Sequence, residues 1–357
     1  MEKSLKTLVL DANGLALRAV LSDTVFRGLF RLKNSYNYPK FLDRLPLIKH
    51  LMVPFRHRYD AVSYVFDWKE AICSSPELNV EVCSITNLVD LASYRKAILN
   101  YPLVIILHNA AGDDMRLISK ITHWFEKRKG KLVVFIGNEY DLMDEKIEFI
   151  RNTGADVVCS QLPASTANWL YQDSGCRKIL PMPHALNPQL YRRMPEITKD
   201  IDIGFVGSFY PSFIGDIERN RLLKYFQGLP TATDFVCDMR FGNLPRNEWT
   251  VFLNRCKGIP GAEAGSYYLD RQGSLINRAK KYLKEQKDAS FEDVFDKFFR
   301  NPGVEYVSGK AISSRHFEPI GTRTCQILLE GEYNGILKAG IHYLAVRKDL
   351  SNIREVI

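Results

Sequence analysis

At 357 residues, with 46% hydrophobic and 25% charged side chains, the chain has a globular composition and is long enough for two domains of ordinary size. It has no apolar run near the ~20 residues of a membrane span and no export-signal layout in Met1-Glu2-Lys3-Ser4-Leu5-Lys6, so a cytoplasmic location is expected, at most touching the inner face of the membrane. A net charge of +8 favours an anionic partner without any nucleic-acid-binding motif, and seven scattered cysteines with no CxxC pair argue against a disulfide framework or a zinc site.

The first half alternates short apolar runs with polar or Gly-containing turns and helical patterns. Thr7-Leu8-Val9-Leu10 leads into Asp11-Ala12-Asn13-Gly14. Ala61-Val62-Ser63-Tyr64-Val65-Phe66, Val80-Glu81-Val82-Cys83, residues 103–107 (Leu-Val-Ile-Ile-Leu), residues 132–136 (Leu-Val-Val-Phe-Ile), Val157-Val158-Cys159 and Ile179-Leu180 continue the series. Unbroken apolar runs belong to strands buried on both faces, and their alternation with helices predicts a doubly wound α/β domain. Residues 25–32, rich in Phe, Arg and Leu, read either as a helix packed on its sheet or as an amphipathic stripe able to touch a membrane. Three prolines within residues 181–188 break the pattern and suit a semi-rigid connection. A second series opens at Ile201-Asp202-Ile203-Gly204-Phe205-Val206, with further strands at Phe235-Val236-Cys237 and Val304-Glu305-Tyr306-Val307 and helices over 247–255 and 274–287. The expected architecture is two Rossmann-like domains, residues 1–190 and 191–357.

Ligands of open parallel sheets bind outside the carboxyl ends of the strands. In the second domain that rule selects Gly207-Ser208-Phe209-Tyr210, followed by a helix starting near Asp216 with Arg219 and Arg221 in its first turns. Gly207 and Ser208 with either arginine suit a diphosphate, or form an ordinary turn with solvent-facing arginines. Residues 258–266, containing Glu263, hold glycines that would be wasteful in a helix or strand, so a loop approaching a ligand, or a plain surface loop, is expected. In Ser313-Ser314-Arg315-His316-Phe317-Glu318-Pro319-Ile320-Gly321-Thr322, a carboxylate suits ribose hydroxyls and a guanidinium suits phosphate. The alternative is an Arg–Glu pair capping a helix that runs on through Gln326 to Leu329.

These residues carry a resemblance. Arg315-His316-Phe317-Glu318, His342-Tyr343 and Lys348-Asp349-Leu350-Ser351-Asn352, the loop around Glu263 with Asp270, Phe205-Val206-Gly207-Ser208, and the stretch from Ala155 to Tyr191 are similar to the bacterial GT-B enzymes of the "glycosyl transferases group 1", CgeB-like set. The resemblance covers roughly residues 130–357. It implies two Rossmann-like domains facing across a cleft, a nucleotide-diphosphate sugar held by the C-terminal domain, and a glycan, lipid-linked or other hydroxyl acceptor on the N-terminal one. Glu318 matches the acid that grips the donor ribose, and Gly207, Ser208, Arg219 and Arg221 match the pyrophosphate side; Glu263, Arg315, His316 and Thr322 complete the expected donor set. No metal and no cofactor are implied, only the sugar nucleotide as substrate. Gln326 stands where many retaining members carry a second glutamate, so an inverting base is sought at strand ends. The candidates are His108, Asp113 and Glu139, drawn from a wider group that includes Asp11 and Asp141. Such enzymes close with C-terminal helices, which are expected to be missing from a chain ending at Ile357.

Three other readings compete. A metal-dependent GT-A enzyme needs an acidic pair after a strand, for which Glu139-Tyr140-Asp141 qualifies, whereas Asp200-Ile201-Asp202 precedes its strand. A sugar-nucleotide epimerase or a non-catalytic GT-B-like binding subunit would keep the fold. A dinucleotide dehydrogenase lacks its GxGxxG turn.

Overall fold

The computed structural model describes residues 4–12, 20–21, 23–24, 64–112, 114–229 and 235–357. Asp113 and residues 25–32 therefore lie outside the described residues. The chain divides into two compact units, Met1–Ser160 with Ala167–Met182, and Gln161–Thr166 with Pro183–Ile357.

Unit one runs β1 (Leu5–Asp11), α1 (Tyr64–Ser74), β2 (Leu78–Ser84), α2 (Leu88–Tyr94), β3 (Leu103–Ile106), β4 (Lys131–Phe135), α3 (Met143–Thr153), β5 (Val157–Ser160), α4 (Ala164–Tyr171, whose first three residues belong to unit two) and β6 (Lys178–Pro181). The stretch expected as a strand at residues 61–66 is helical from Tyr64 on. Its apolar residues are there to pack a helix face: Trp68 joins Val9, Ile105, Leu107, Phe135 and Cys159 in the core. A short apolar run does not by itself separate a buried strand from a buried helix. The strands form one parallel sheet in the order β2-β1-β3-β4-β5-β6.

Unit two runs β7 (Ile201–Gly207), α5 (Glu218–Gln227), β8 (Cys237–Phe241), α6 (Arg246–Arg255), β9 (Cys256–Gly261), α7 (Ser274–Glu285), α8 (Phe291–Phe298), α9 (Ser314–Thr322), β10 (Cys325–Leu329), β11 (Leu344–Val346) and α10 (Ile353–Val356). All pairings in its sheet, ordered β11-β10-β9-β7-β8, are parallel. Helix α6 packs through Phe252 and Leu253 on Ile201, Val206 and Ile259. Helix α5 supplies Leu222 and Phe226 to a cluster with Ile203, Ile327, Leu329 and Val346.

Three expectations change here. Half of the glycine-rich stretch at 258–266 is strand β9 rather than loop. Gly258 lies in a tight place, where an added Cβ would stand 3.0 Å from Ile203 Cδ1, so its glycine serves strand packing. The ladder of β9 with β7 ends at Gly258, and Pro260, which has no N–H to give, comes after it. The helix at Arg315 stops at Thr322, with Arg323 left-handed at φ 53°, and residues as far as Leu329 form strand β10. Residues 304–307 contribute only a bridge, Val307 to Leu269.

Both sheets are tied at their amino ends by acids. Asp156 accepts from the Leu132 N–H at 3.0 Å, Lys131 at 2.9 Å and Arg128 at 3.1 Å. Burial opposes its charge, but these donors win and hold the carboxyl at about 2. Asp202 accepts from the Val236 N–H at 2.8 Å and Lys257 at 2.6 Å, and Asp200 binds Arg255. The carboxyl ends are left to turns and polar side chains. Gly204, inside β7, lies where a Cβ would collide with Cys256 Sγ and reach the Phe252 ring at 2.9 Å. Gly204→Ala should therefore lower stability by about 1–3 kcal/mol, read as a shift in the urea midpoint.

Candidate functional site

In unit two, β8 follows β7 on one side of the sheet and β9 lies on the other. Connections leave the two central strands in opposite directions, which makes the β7/β9 carboxyl ends the topological switch point. Gly207 closes β7 there and Gly261 closes β9.

Helix α9 is pinned over this point by a histidine. The Ser313 N–H donates to His316 Nδ1 at 2.9 Å, and Nε2 lies 3.2 Å from the Ala262 carbonyl. With Nδ1 accepting, the proton belongs on Nε2, so the ring is neutral and bridges α9 to the end of β9. Burial pushes its pKa down to about 4, and the cations Arg315 and Arg219 add to the effect. Both ring nitrogens are therefore used inside the fold.

Arg315, one residue earlier, is exposed and covers Gly207: a Cβ there would stand 2.7 Å from its Nη1. Arg219 reaches the same place from α5. It is buried, donates to the Ser208 carbonyl at 2.9 Å, and lies over the Tyr210 ring at 4.3 Å. Burial lowers its pKa, and the Arg315 charge also works against it, yet a guanidinium stays protonated. Among the described residues no carboxylate pairs with either arginine in a salt bridge. Arg221, two positions from Arg219, is exposed on α5 and does not join them, because a helix turns about 200° over two residues.

The cationic row continues. Lys310 forms a buried ion pair with Asp216 and lies 4.6 Å from the Tyr267 ring and 5.6 Å from Tyr210. Lys348 lies over the Tyr267 ring at 4.6 Å, donates to its hydroxyl at 2.8 Å and stands 3.6 Å from Glu218. Sequence reading had passed over Lys310, Tyr267 and Glu218. A lysine between Gly309 and Ala311, in an otherwise small apolar stretch, was the available signal.

The remaining expected donor residues are held within the fold. Glu263 is buried and accepts from the Tyr333 N–H at 2.6 Å, and a Cβ at Gly331 would collide with its carboxylate. Burial raises its pKa against the pull of that N–H. Glu318 accepts from Trp249 Nε1 at 2.6 Å and is buried, tying α9 to α6. Thr322 is fully buried, with its hydroxyl 3.2 Å from the Pro319 carbonyl and 3.0 Å from Thr324 Oγ1. The structure thus brings Gly207, Ser208, Arg219 and Arg315 together, and engages His316, Glu263, Glu318 and Thr322 as ties around them.

In unit one, His108 follows β3, buried edge-on to Trp68 at 4.9 Å. Glu139 follows β4 and accepts from Ser160 Oγ at 2.6 Å and Tyr171 OH at 2.7 Å. Asp11, ending β1, binds Lys69 at 2.7 Å, a pairing that sequence reading did not foresee. Among the described residues no three His, Cys, Asp or Glu side chains are grouped as a metal site, and no helix is long and apolar enough to cross a membrane. No protein-family model and no curated protein matches the chain.

The pH dependence of His316 follows from its burial. The unfolded chain takes up this proton near pH 6.5, while the folded chain resists until about pH 4. Stability attached to the ring is complete above pH 6.5 and falls through that window by about 3 kcal/mol. His184, lowered by burial to about 3, acts in the same sense. Thermal melts from pH 7 to pH 4.5 should fall less steeply in His316→Asn than in the parent, although the variant starts lower.

Proposed function

We propose that the chain is a glycosyltransferase of the GT-B type, moving a sugar from a nucleotide-diphosphate donor to a glycan, lipid-linked or other hydroxyl acceptor in bacterial glycoconjugate synthesis on the cytoplasmic side. The observation that carries this reading is the pair of guanidiniums, Arg219 and Arg315, with no salt bridge to a carboxylate among the described residues, at the switch point beside Gly207. Two fixed cations over a glycine turn suit a diphosphate better than a neutral ligand. The resemblance of the 315–318 and 348–352 segments to group 1 enzymes points the same way, as do two parallel α/β units.

In this reading the diphosphate lies against Gly207, Ser208 and the two arginines, and the N-terminus of α9 adds a favourable dipole. As the glycosidic bond breaks, charge grows on the departing diphosphate, and these preset cations stabilise it without a metal. Lys310, its charge matched by Asp216, fixes the geometry beside them. Glu318 acts through Trp249, keeping α9 and so Arg315 in place. The second half of the GT-B proposal is that unit one carries the acceptor, with Glu139 or His108 taking the acceptor proton.

Nucleoside diphosphates and their sugar conjugates should raise the melting temperature. Arg315→Ala should weaken binding about 30-fold, from the loss of about 2 kcal/mol of charged hydrogen bonding, while Arg221→Ala leaves it unchanged. No shift with any nucleotide in a folded sample would sink the donor site. Conversion of the sugar nucleotide without acceptor identifies an epimerase instead, and binding without transfer across an acceptor panel identifies a binding subunit. Loss of transfer on EDTA treatment would favour the GT-A chemistry.

A further inference from the structure

Strand β8 carries apolar residues at alternate positions. Cys237 and Met239 pack with Ile203, Leu222 and Phe226 in the core under α5, and Phe241 is the next position on that face. Arg240, between them, points to the other face, over the Phe252 ring at 4.7 Å. Phe241 lies past the end of the core and is 42% exposed. Its ring stacks on Phe209, with centroids 4.6 Å apart and planes 24° from parallel. The turns that carry the two rings are fixed. The Gly242 N–H donates to the Gly207 carbonyl at 2.9 Å. Asn220 of α5 accepts from the Tyr210 N–H at 2.7 Å and donates to the Tyr210 carbonyl at 2.8 Å.

Strand register sets where the rings stand. Phe241 is the β8 partner of Gly207, and paired strands lie about 4.8 Å apart with partners facing the same side. Phe241 therefore stands beside the space that Gly207 leaves by having no side chain, where Arg315 Nη1 lies 2.7 Å from the position of an added Cβ. The Phe205 ring borders the same space. It is 6.0 Å from Phe241 and 5.7 Å from the Arg219 guanidinium. Two guanidiniums and an exposed, stacked ring thus meet at one glycine. A ring that only closed the core would be covered by it. One left in water beside a diphosphate site suits the planar group that a nucleotide carries one ribose away from its phosphates. Stacking of a base on an aromatic ring is worth about ten- to a hundredfold in affinity.

We propose that the Phe209–Phe241 pair is the platform on which the nucleobase stacks, with the ribose bridging to the diphosphate at Gly207, Arg219 and Arg315. This rests on the reading of the arginine pair as a diphosphate site, and adds the element that tells a nucleotide from a bare diphosphate.

The test is calorimetric titration of the full chain with inorganic pyrophosphate, ADP, UDP and UDP-glucose. Phe241→Ala should weaken ADP and UDP about tenfold or more while pyrophosphate binds as before. Phe241→Leu, which keeps apolar bulk but has no ring, should lose a similar factor, and Phe241→Tyr should retain the parent affinity. In Phe241→Trp, ADP should quench the added emission and pyrophosphate should not. The platform alone is overturned if Phe241→Ala and Phe241→Leu bind ADP like the parent. It is also overturned if pyrophosphate weakens equally, which makes Phe241 a support of the turn, or if UDP-glucose weakens and UDP does not, which places a sugar ring there. The diphosphate reading beneath it fails separately, if Arg315→Ala binds pyrophosphate and ADP like the parent.

Discussion

A neutral imidazole holds the candidate site together. His316 accepts from Ser313 on one side and faces the Ala262 carbonyl on the other, so the start of α9 cannot move without the end of β9. Because Arg315 precedes it in the chain, the position of one guanidinium over Gly207 depends on this bridge. The ring can do this only uncharged, since a protonated Nδ1 has no lone pair for the Ser313 N–H. Burial and two neighbouring arginines keep it so.

Around that bridge, charge is sorted by sheet end. Asp156, Asp200 and Asp202 pair with basic groups at the amino ends, partly exposed, where an ion pair is worth little. At the carboxyl end of unit two, Lys310 and Asp216 are paired out of water. Removing one partner of such a pair costs about 3–5 kcal/mol because the other charge is left buried. The pair is thus better viewed as fixing geometry than as a source of net stability. Arg219 stands between Ser208 and the Tyr210 face, desolvated and oriented in advance, which is the condition under which a cation acts strongly on a phosphate.

Legibility varied with how local the determining interaction is. Strands β3, β4, β5 and β7 were readable because runs such as 103–107 and 132–136 are apolar throughout, as strands buried on both faces must be. Residues 61–66 misled because Val65 and Phe66 are apolar under either a strand or a helix assignment; Trp68 packing in the core favours the helix. Glycines at 258 and 261 looked like a loop, but Gly258 is small because Ile203 and Ile327 crowd it, a fact about neighbouring strands. The pass from α9 into β10 was hidden for a similar reason. Cys325 to Leu328 pair with β9, which no local propensity encodes.

The site divided along the same line. That Gly207, Ser208, Arg219 and Arg315 gather at one place was legible because each sits next to a strand end or helix start, and the switch-point rule converts such positions into a place. The contacts of Glu263, Glu318 and Thr322 were not legible, because they depend on Tyr333, Trp249 and Thr324, distant in sequence or set by the turn of a helix. By itself, then, the amino-acid order determined two α/β units, their break near the prolines at 181–188, and a basic cluster after the first strand of the second unit, since periodicity and composition act over a few residues. Which polar side chains tie the scaffold was decided only by tertiary structure, because a buried carboxylate or imidazole takes its role from the donors and acceptors that folding brings to it.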